Sequence, residues 1–365
     1  MTAYGLLVSP SHNRVYAQSA ADLVKAELTV FSERALGGRV GDVREREIGG
    51  VPYVTFTGDE LTEQDIRLLS NLSSLYALFR IEGELLRPVV LQRLDVFGSD
   101  LLTIQKYSGK TNEYFTKLLL NVTAMATDAP MDLVTGRPRV LDPMCGRGTT
   151  LNQAMMYGLD AAGIDIDGKD FDAYAAFIKT WLKNNRVKHQ AEIANVRREK
   201  AVLGRRLHVT LGASKERYKS GETMEITVVN ADSAGAGKFF RPASFDLIVT
   251  DAPYGVQHGS RHGLAGNGPR TPAKGGQPAR KGKPQLSRSP VELLAAAVPE
   301  WARLLRPGGA VGISWNTFVG RREQLAEILA GSGLDVQDSE AYRGFRHRVD
   351  QAISRDVIVA RRPSG

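Results

Sequence analysis

Three acidic residues and two glycines are spaced as a nucleoside-like ligand would require. The run from Val140 to Asp167 reads VLDPMCGRGTTLNQAMMYGLDAAGIDID. An apolar stretch enters the turn Gly146-Arg147-Gly148, a helix-like segment follows, and a second apolar stretch ends at Asp165. Gly146 and Asp165 are 19 residues apart, the spacing at which an acidic side chain meets an adenosine ribose in a Rossmann-like unit. The glycines allow a sharp turn and a close approach to the ligand. Leu151 stands where a dinucleotide fingerprint has its third glycine. Asp142, just before the turn, would repel a pyrophosphate but would attract an α-ammonium group. Asp232, with Ser233 after it, follows another apolar stretch and can accept from an adenine amino group. Ile166 can pack on the adenine face. A ligand with adenosine at one end and an α-amino acid at the other is S-adenosylmethionine (SAM). The glycine pair alone also fits a generic strand–turn–helix. That alternative weakens because Asp142, Asp165 and Asp232 fall in order at predicted strand ends, the edge where open α/β sheets bind ligands. The loop residues Pro143, Met144, Cys145, Gly146, Gly148 and Thr149 complete this part of the cofactor set.

A second signal lies downstream. Phe245 to Gly255 reads FDLIVTDAPYG, an apolar strand ending in Asp251-Ala252-Pro253-Tyr254. This tetrapeptide resembles the [DN]PPY of class I amino-methyltransferases. Together, DAPYGVQ, DPMCGRGTT and GIDID look most like the tRNA guanine-N2 methyltransferases that carry a THUMP domain. The resemblance covers about residues 105–365. It implies SAM-dependent methylation of an exocyclic base amine. Such an amine is a poor nucleophile because its lone pair is delocalised into the ring. In this pattern Asp251 and the Ala252 carbonyl would accept the amine hydrogens, and Tyr254 would stack on the base. Asp251 would also border the cofactor. Ala252 departs from the family's proline but keeps the carbonyl, and Pro253 biases it to extended backbone. The family also places the segment before the glycine strand against the cofactor. Thr111, Asn112 and Phe115 stand there, with a linker and helix cap as the other reading.

Cys145 is the single cysteine of the chain. An intrachain disulfide and a multi-cysteine zinc site are therefore excluded. No neighbouring residue would activate its thiol, so it reads as a small packing residue. His258 and His262 have a metal-like spacing but lack cysteine or carboxylate companions, and no metal is expected.

The elements that must position these residues come next. The chain has 365 residues, 42% of them hydrophobic, which suits two or three globular domains and excludes wholesale disorder. No apolar run approaches a membrane span, and the N-terminal stretch lacks the charge of a secretory signal. A cytoplasmic protein is the expectation. Residues 1–105 read as a small α+β domain. It has helices at Val15–Arg34 and Leu61–Leu75, and strands at Val51–Phe56, Tyr76–Ile81 and Leu86–Leu94. Thr62 and Asp65 are spaced as a capping box. Residues 106–365 begin with a helix over Asn112–Thr127. Strands are then predicted at Arg139–Leu141, Ala161–Ile166, Leu207–Leu211, Ile226–Val229, Leu247–Val249, Ala310–Ser314 and Val357–Ala360. Helices are predicted at Thr149–Met156, Phe171–Asn185, Val291–Leu305 and Arg322–Leu329. This alternation predicts an α/β fold, a mostly parallel Rossmann-like sheet with helices on both faces.

The formal net charge is +8. Within 258–290, Arg261, Arg270, Lys274, Arg280, Lys281, Lys283 and Arg288 meet no Asp or Glu. The rest of the chain is close to neutral. Such a segment beside the target tetrapeptide could follow a phosphate backbone, and it could also be a solvated insertion. The expected partner is RNA, most of all tRNA, although no full THUMP-type domain is recognisable in residues 1–105. The rival expectations are a DNA or small-molecule N-methyltransferase, and a non-catalytic protein that kept the SAM fold.

Overall fold

The computed structural model describes residues 1–10, 14–198, 201–253 and 289–365. It opens with β1 (Thr2–Val8), α1 (Arg14–Arg34), β2 (Gly41–Ile48), β3 (Val51–Gly58), α2 (Glu63–Leu69), β4 (Leu75–Glu82) and β5 (Leu85–Val89). The strands form one antiparallel sheet in the order β2-β3-β1-β4-β5. The Thr62–Asp65 capping box is formed, each side chain accepting from the other residue's backbone N–H. The helix it starts ends at Leu69, short of the expected Leu75. Ser70 and Asn71 donate their side chains back to the carbonyls of Ile66 and Arg67, an alternative to further helix.

The second part contains α3 (Asp100–Thr103), α4 (Glu113–Met125), α5 (Asp132–Thr135), β6 (Val140–Asp142), α6 (Thr149–Met156), β7 (Ala161–Asp165) and α7 (Gly168–Asn184). It continues with β8 (His189–Arg198), β9 (Ala201–Gly212), α8 (Lys215–Ser220), β10 (Thr223–Asn230) and β11 (Phe245–Asp251). It closes with α9 (Pro290–Leu304), β12 (Leu305–Asn316), α10 (Arg322–Gly331), β13 (Asp335–Gln337), β14 (His347–Arg348) and β15 (Ser354–Arg361). The sheet order is β13-β15-β12-β11-β6-β7-β10-β9-β8, with β14 on β15. The middle five strands, β12-β11-β6-β7-β10, are parallel. Both flanks are antiparallel. The sheet is therefore Rossmann-like but mixed rather than mostly parallel.

Strand residues alternate between two cores, as a pleat covered on both faces requires. Val140, Leu247, Val249, Val357 and Val359 join one cluster. Leu141, Ile248, Ile358 and Ala360 join the other, with Trp301 of α9 and Leu325 of α10. The first cluster also contains Leu6, Phe31 and Phe56, so the N-terminal sheet shares a core with the main one. The contact is specific as well as apolar. Buried Glu27 of α1 accepts from Asn121 Nδ2 of α4 at 2.7 Å and from the Ser73 hydroxyl at 2.6 Å. Arg34 donates to the Met125 carbonyl at the end of α4. These contacts pin α4, and the start of α4 borders the site.

Chain direction decides where that site lies. From β6 the chain moves through β7 to β10 on one side, and β11 and β12 return on the other. The order reverses between β6 and β11. A crevice outside the carboxyl ends of strands at such a reversal is the general ligand site of open α/β sheets. Asp142 ends β6 and Asp251 ends β11.

Candidate active site

The glycine loop is held by its own backbone. Gly146 has φ +48° and Gly148 φ +81°, the left-handed region that favours glycine. Gly148 caps α6, and a Cβ there would clash with the edge of the buried Tyr174 ring, 2.2 Å from its nearest carbon. The Gly146 N–H donates to Asp165 Oδ2 at 2.7 Å, and Asp167 N–H to Asp165 Oδ1 at 2.8 Å. Burial raises the Asp165 carboxyl above its usual value, against the pull of these two amides. Asp165 and Asn230 are in register on β7 and β10. Asn230 Nδ2 donates to the carbonyls of Asp165 and Ile166, so the second and third acidic positions share one corner. Ile166 is 62% exposed there, an apolar surface suited to a flat ring. The Asp232 carboxylate is exposed and accepts from Ala234 N–H. Ser233 is buried, and its carbonyl accepts from Trp301 Nε1.

Asp142 lies beneath the loop, 3% exposed. Thr250 Oγ1 and Met144 N–H donate to its Oδ1, at 2.8 and 3.1 Å. Burial pushes its carboxyl up to about 7, although Thr150, Thr250 and Met144 pull it down. A raised carboxyl favours the protonated form in the free chain. Its contribution to stability is therefore greatest at low pH and is lost as pH rises through about 7. Affinity for a cation at this carboxylate runs the other way. SAM binding measured by calorimetry is expected to weaken about tenfold from pH 8 to pH 6, and Asp142→Asn should flatten that dependence.

Asp251 is gripped from several directions. Thr111 Oγ1 donates to its Oδ2 at 2.6 Å, and Ser314 Oγ to its Oδ1 at 2.7 Å. Arg355 Nη2 stands 3.4 Å from Oδ2. Asp251 and Ser314 are paired in register on β11 and β12. Ala252 N–H donates to the Ser314 carbonyl at 2.8 Å. A proline could not make that bond, so the departure from the family tetrapeptide adds one rung to the ladder. The Ala252 methyl is buried in the α9-side core and Pro253 is exposed. Tyr254 lies outside the described residues, as do Arg261, Arg270, Lys274, Arg280, Lys281, Lys283 and Arg288, and also His258 and His262.

The segment before α4 crosses the loop. Tyr107 shares a hydrogen bond with Thr149 Oγ1 at 3.1 Å, and its ring lies under the Arg147 guanidinium at 4.9 Å. Three neighbouring residues of the expected cofactor set are held in other contacts. Asn112 is the N-cap of α4, its side-chain oxygen accepting from Tyr114 and Phe115 N–H. Phe115 is wholly buried and carries the Arg355 guanidinium on its face at 4.4 Å, so it supports the site from below. Cys145 packs its sulfur where a Cβ on Gly163 would be 2.7 Å away, and burial pushes its thiol well up. Pro143 is buried and Met144 is half-buried. Among the described residues, no group of three His, Cys, Asp or Glu side chains is arranged to hold a metal ion.

Sequence reasoning missed Tyr107, Thr250, Ser314 and Arg355. Ser314 carried a signal, as a hydroxyl ending a predicted strand at the ligand edge. Arg355 carried none, because nothing local says that β15 runs against its neighbours.

Residues 133–265, just over a third of the chain, match the family model for the RMKL-like methyltransferase domain, UPF0020. The matched stretch holds the glycine loop, the three candidate cofactor carboxylates and Asp251. That stretch is a SAM-dependent methyltransferase domain. SAM is its cofactor, and the carboxylates and exposed Ile166 at the strand ends fit its two halves. No curated protein matches the chain significantly. Solved structures superpose loosely on this chain. TrmN from Thermus thermophilus is 15% identical, with a TM-score of 0.39, covering 88% of this chain and 59% of that one. A SAM-dependent methyltransferase from Methanosarcina mazei is 13% identical, with a TM-score of 0.34, covering 63% and 94%. A TehB-like SAM-dependent methyltransferase from Corynebacterium glutamicum is 15% identical, with a TM-score of 0.30, covering 61% and 79%. Among the described residues of the methyltransferase, no helix is long and apolar enough to cross a membrane.

Proposed function

We propose that this protein is an N-methyltransferase acting on an exocyclic base amine in RNA, with guanine N2 of tRNA the favoured target. The observation that carries this reading is the Asp251 carboxylate, held by hydroxyls on both oxygens at the end of β11. Thr250, the residue before it, bonds Asp142 under the cofactor loop. An acceptor for amine hydrogens therefore stands one strand from the methyl donor's binding loop. Bound SAM would supply an electrophilic methyl group on its sulfonium. Transfer of that methyl to the amine nitrogen would leave a neutral thioether behind, and it requires the amine lone pair to be freed from the ring. Asp251 and the Ala252 carbonyl draw on the amine hydrogens, restoring the lone pair to the nitrogen. The positive charge passes to the amine, which then loses a proton to solvent. Tyr254 is the stacking partner in this scheme, as the DAPY resemblance implies.

RNA is favoured by the seven cations of 258–290 that follow the tetrapeptide in sequence. Their deletion tests the partner. If they meet phosphates, the salt slope of tRNA binding should fall by up to about 5, while SAM affinity stays within about twofold. An unchanged slope would remove RNA from this role of the segment. Unchanged turnover of a small amine, with none on RNA, would favour a small-molecule substrate.

A further inference from the structure

We propose that Arg355 is a positioning residue for methyl transfer: from the last strand it fixes the Asp251 carboxylate, with Thr111 and Ser314, in the orientation that receives the amine. This rests on the N-methyltransferase reading for its chemistry, but not for its geometry. β15 is antiparallel to β12, so its first residues reach the edge where the parallel strands end. Arg355 pairs in register with Asn316, two residues beyond Ser314, and Ser314 pairs with Asp251. The Arg355 side chain is 5% exposed and that of Asp251 is 17% exposed.

A pair this buried is a poor stabilising device. Removing both charges from water costs several kcal/mol, and apolar replacements are often as stable or more so. Its place beside the tetrapeptide is accounted for by orientation instead. The guanidinium is planar, and Phe115 fixes that plane from below at 4.4 Å. A lysine could supply the charge but not the stacked plane.

Two other titratable neighbours among the described residues do not compete. His347 is in register with Arg355 on β14, and its ring centre is 5.1 Å from that of Phe115. Its Nδ1 bonds the Phe345 carbonyl, and burial lowers its pKa to about 4. At neutral pH it is uncharged, so among these neighbours Arg355 is the cation beside Asp251. Tyr16 of α1 packs edge-on against His347, and burial raises its hydroxyl out of the physiological range, so it too is neutral.

The test uses the full chain and three variants: Arg355→Gln, Arg355→Lys and Thr111→Val. Labelled methyl transfer from SAM to tRNA from cells lacking the protein gives kcat and KM, and calorimetry gives SAM affinity. Arg355→Gln should lower kcat about 10²-fold, as small displacements of a reacting group do. The KM for tRNA and the SAM affinity should stay within about twofold. Guanidinium ion added to Arg355→Gln should restore part of kcat, and Arg355→Lys should fall between. A bystander role would give neither rescue nor a kcat-specific loss, and unchanged kcat in folded Arg355→Gln would overturn the proposal. If Arg355→Gln does not fold, Thr111→Val and Arg355→Lys carry the test: each should lose kcat with KM and SAM affinity within about twofold, the lysine variant by less than about 10²-fold, and unchanged kcat in both would overturn the proposal. If the wild type transfers no methyl to tRNA, the functional reading fails separately. Crystal structures of the variants then decide: a displaced Asp251 carboxylate in Arg355→Gln supports the positioning role, and an unmoved one overturns it.

Discussion

Asp251→Ala should lower turnover by about 10³-fold while SAM affinity changes by less than about threefold. The size follows from removing a preorganised polar group aimed at the reacting atom, typically worth 10²–10³ in rate. The substitution empties the grip of Thr111, Ser314 and Arg355 at once. It also leaves a buried guanidinium without its carboxylate, which costs about 3–5 kcal/mol where such pairs are broken. A fall in Tm is therefore expected alongside the loss of turnover. Asp251→Asn separates the two effects. It keeps one acceptor oxygen, and asparagine occurs in the family tetrapeptide. Its turnover should lie between those of the wild type and the alanine variant. Single-turnover transfer, calorimetry and thermal melts check all three values. Equal turnover in Asp251→Ala and wild type would remove Asp251 from the chemistry.

Gly148→Ala is expected to abolish SAM binding and to destabilise the fold, whereas Gly146→Ala should do much less harm. Both glycines have positive φ, so both variants carry backbone strain of about 1–2 kcal/mol. They differ in space. A Cβ on Gly146 meets nothing within 4 Å, while one on Gly148 clashes with the edge of the Tyr174 ring. Tyr174 cannot retreat easily, because it is fully buried and its hydroxyl donates to Asn152 Oδ1 of α6. Overpacking of this kind adds about 1–3 kcal/mol, and it distorts the turn that carries the cofactor amides. Melting temperature and SAM titration of the two variants measure the difference. Similar losses in both would assign the role of the turn to backbone conformation alone.

The core of this site was legible because its signals are local. A glycine turn, a carboxylate at a strand end and an Asp-Ala-Pro-Tyr run each sit within a few residues of sequence. Strand–helix alternation located β6, α6, β7 and β11, and α6 has the expected limits, Thr149–Met156. Other features were hidden for physical reasons. β2 reads GDVREREI and is mostly exposed, so it has no apolar pattern to detect. Among the described residues β8 pairs with β9 alone, at the sheet edge, and is similarly polar. The grip on Asp251 depends on contacts 140, 63 and 104 residues away in sequence. Such contacts are fixed by strand order and direction, which periodicity does not encode. Phe115 shows what position alone does not encode: it lies before the glycine strand, but it is buried and stacks under Arg355.

The central claim is transfer of a methyl group to a base nitrogen, and nucleoside analysis tests it most directly. Labelled SAM would be incubated with the protein and with separate tRNA, rRNA and DNA pools from cells lacking it. Each pool would then be digested and its nucleosides resolved. The account predicts label in an N-methylated guanosine of tRNA, absent with Asp251→Ala. Label on carbon or on ribose oxygen, or no label in any pool despite intact SAM binding, would contradict it.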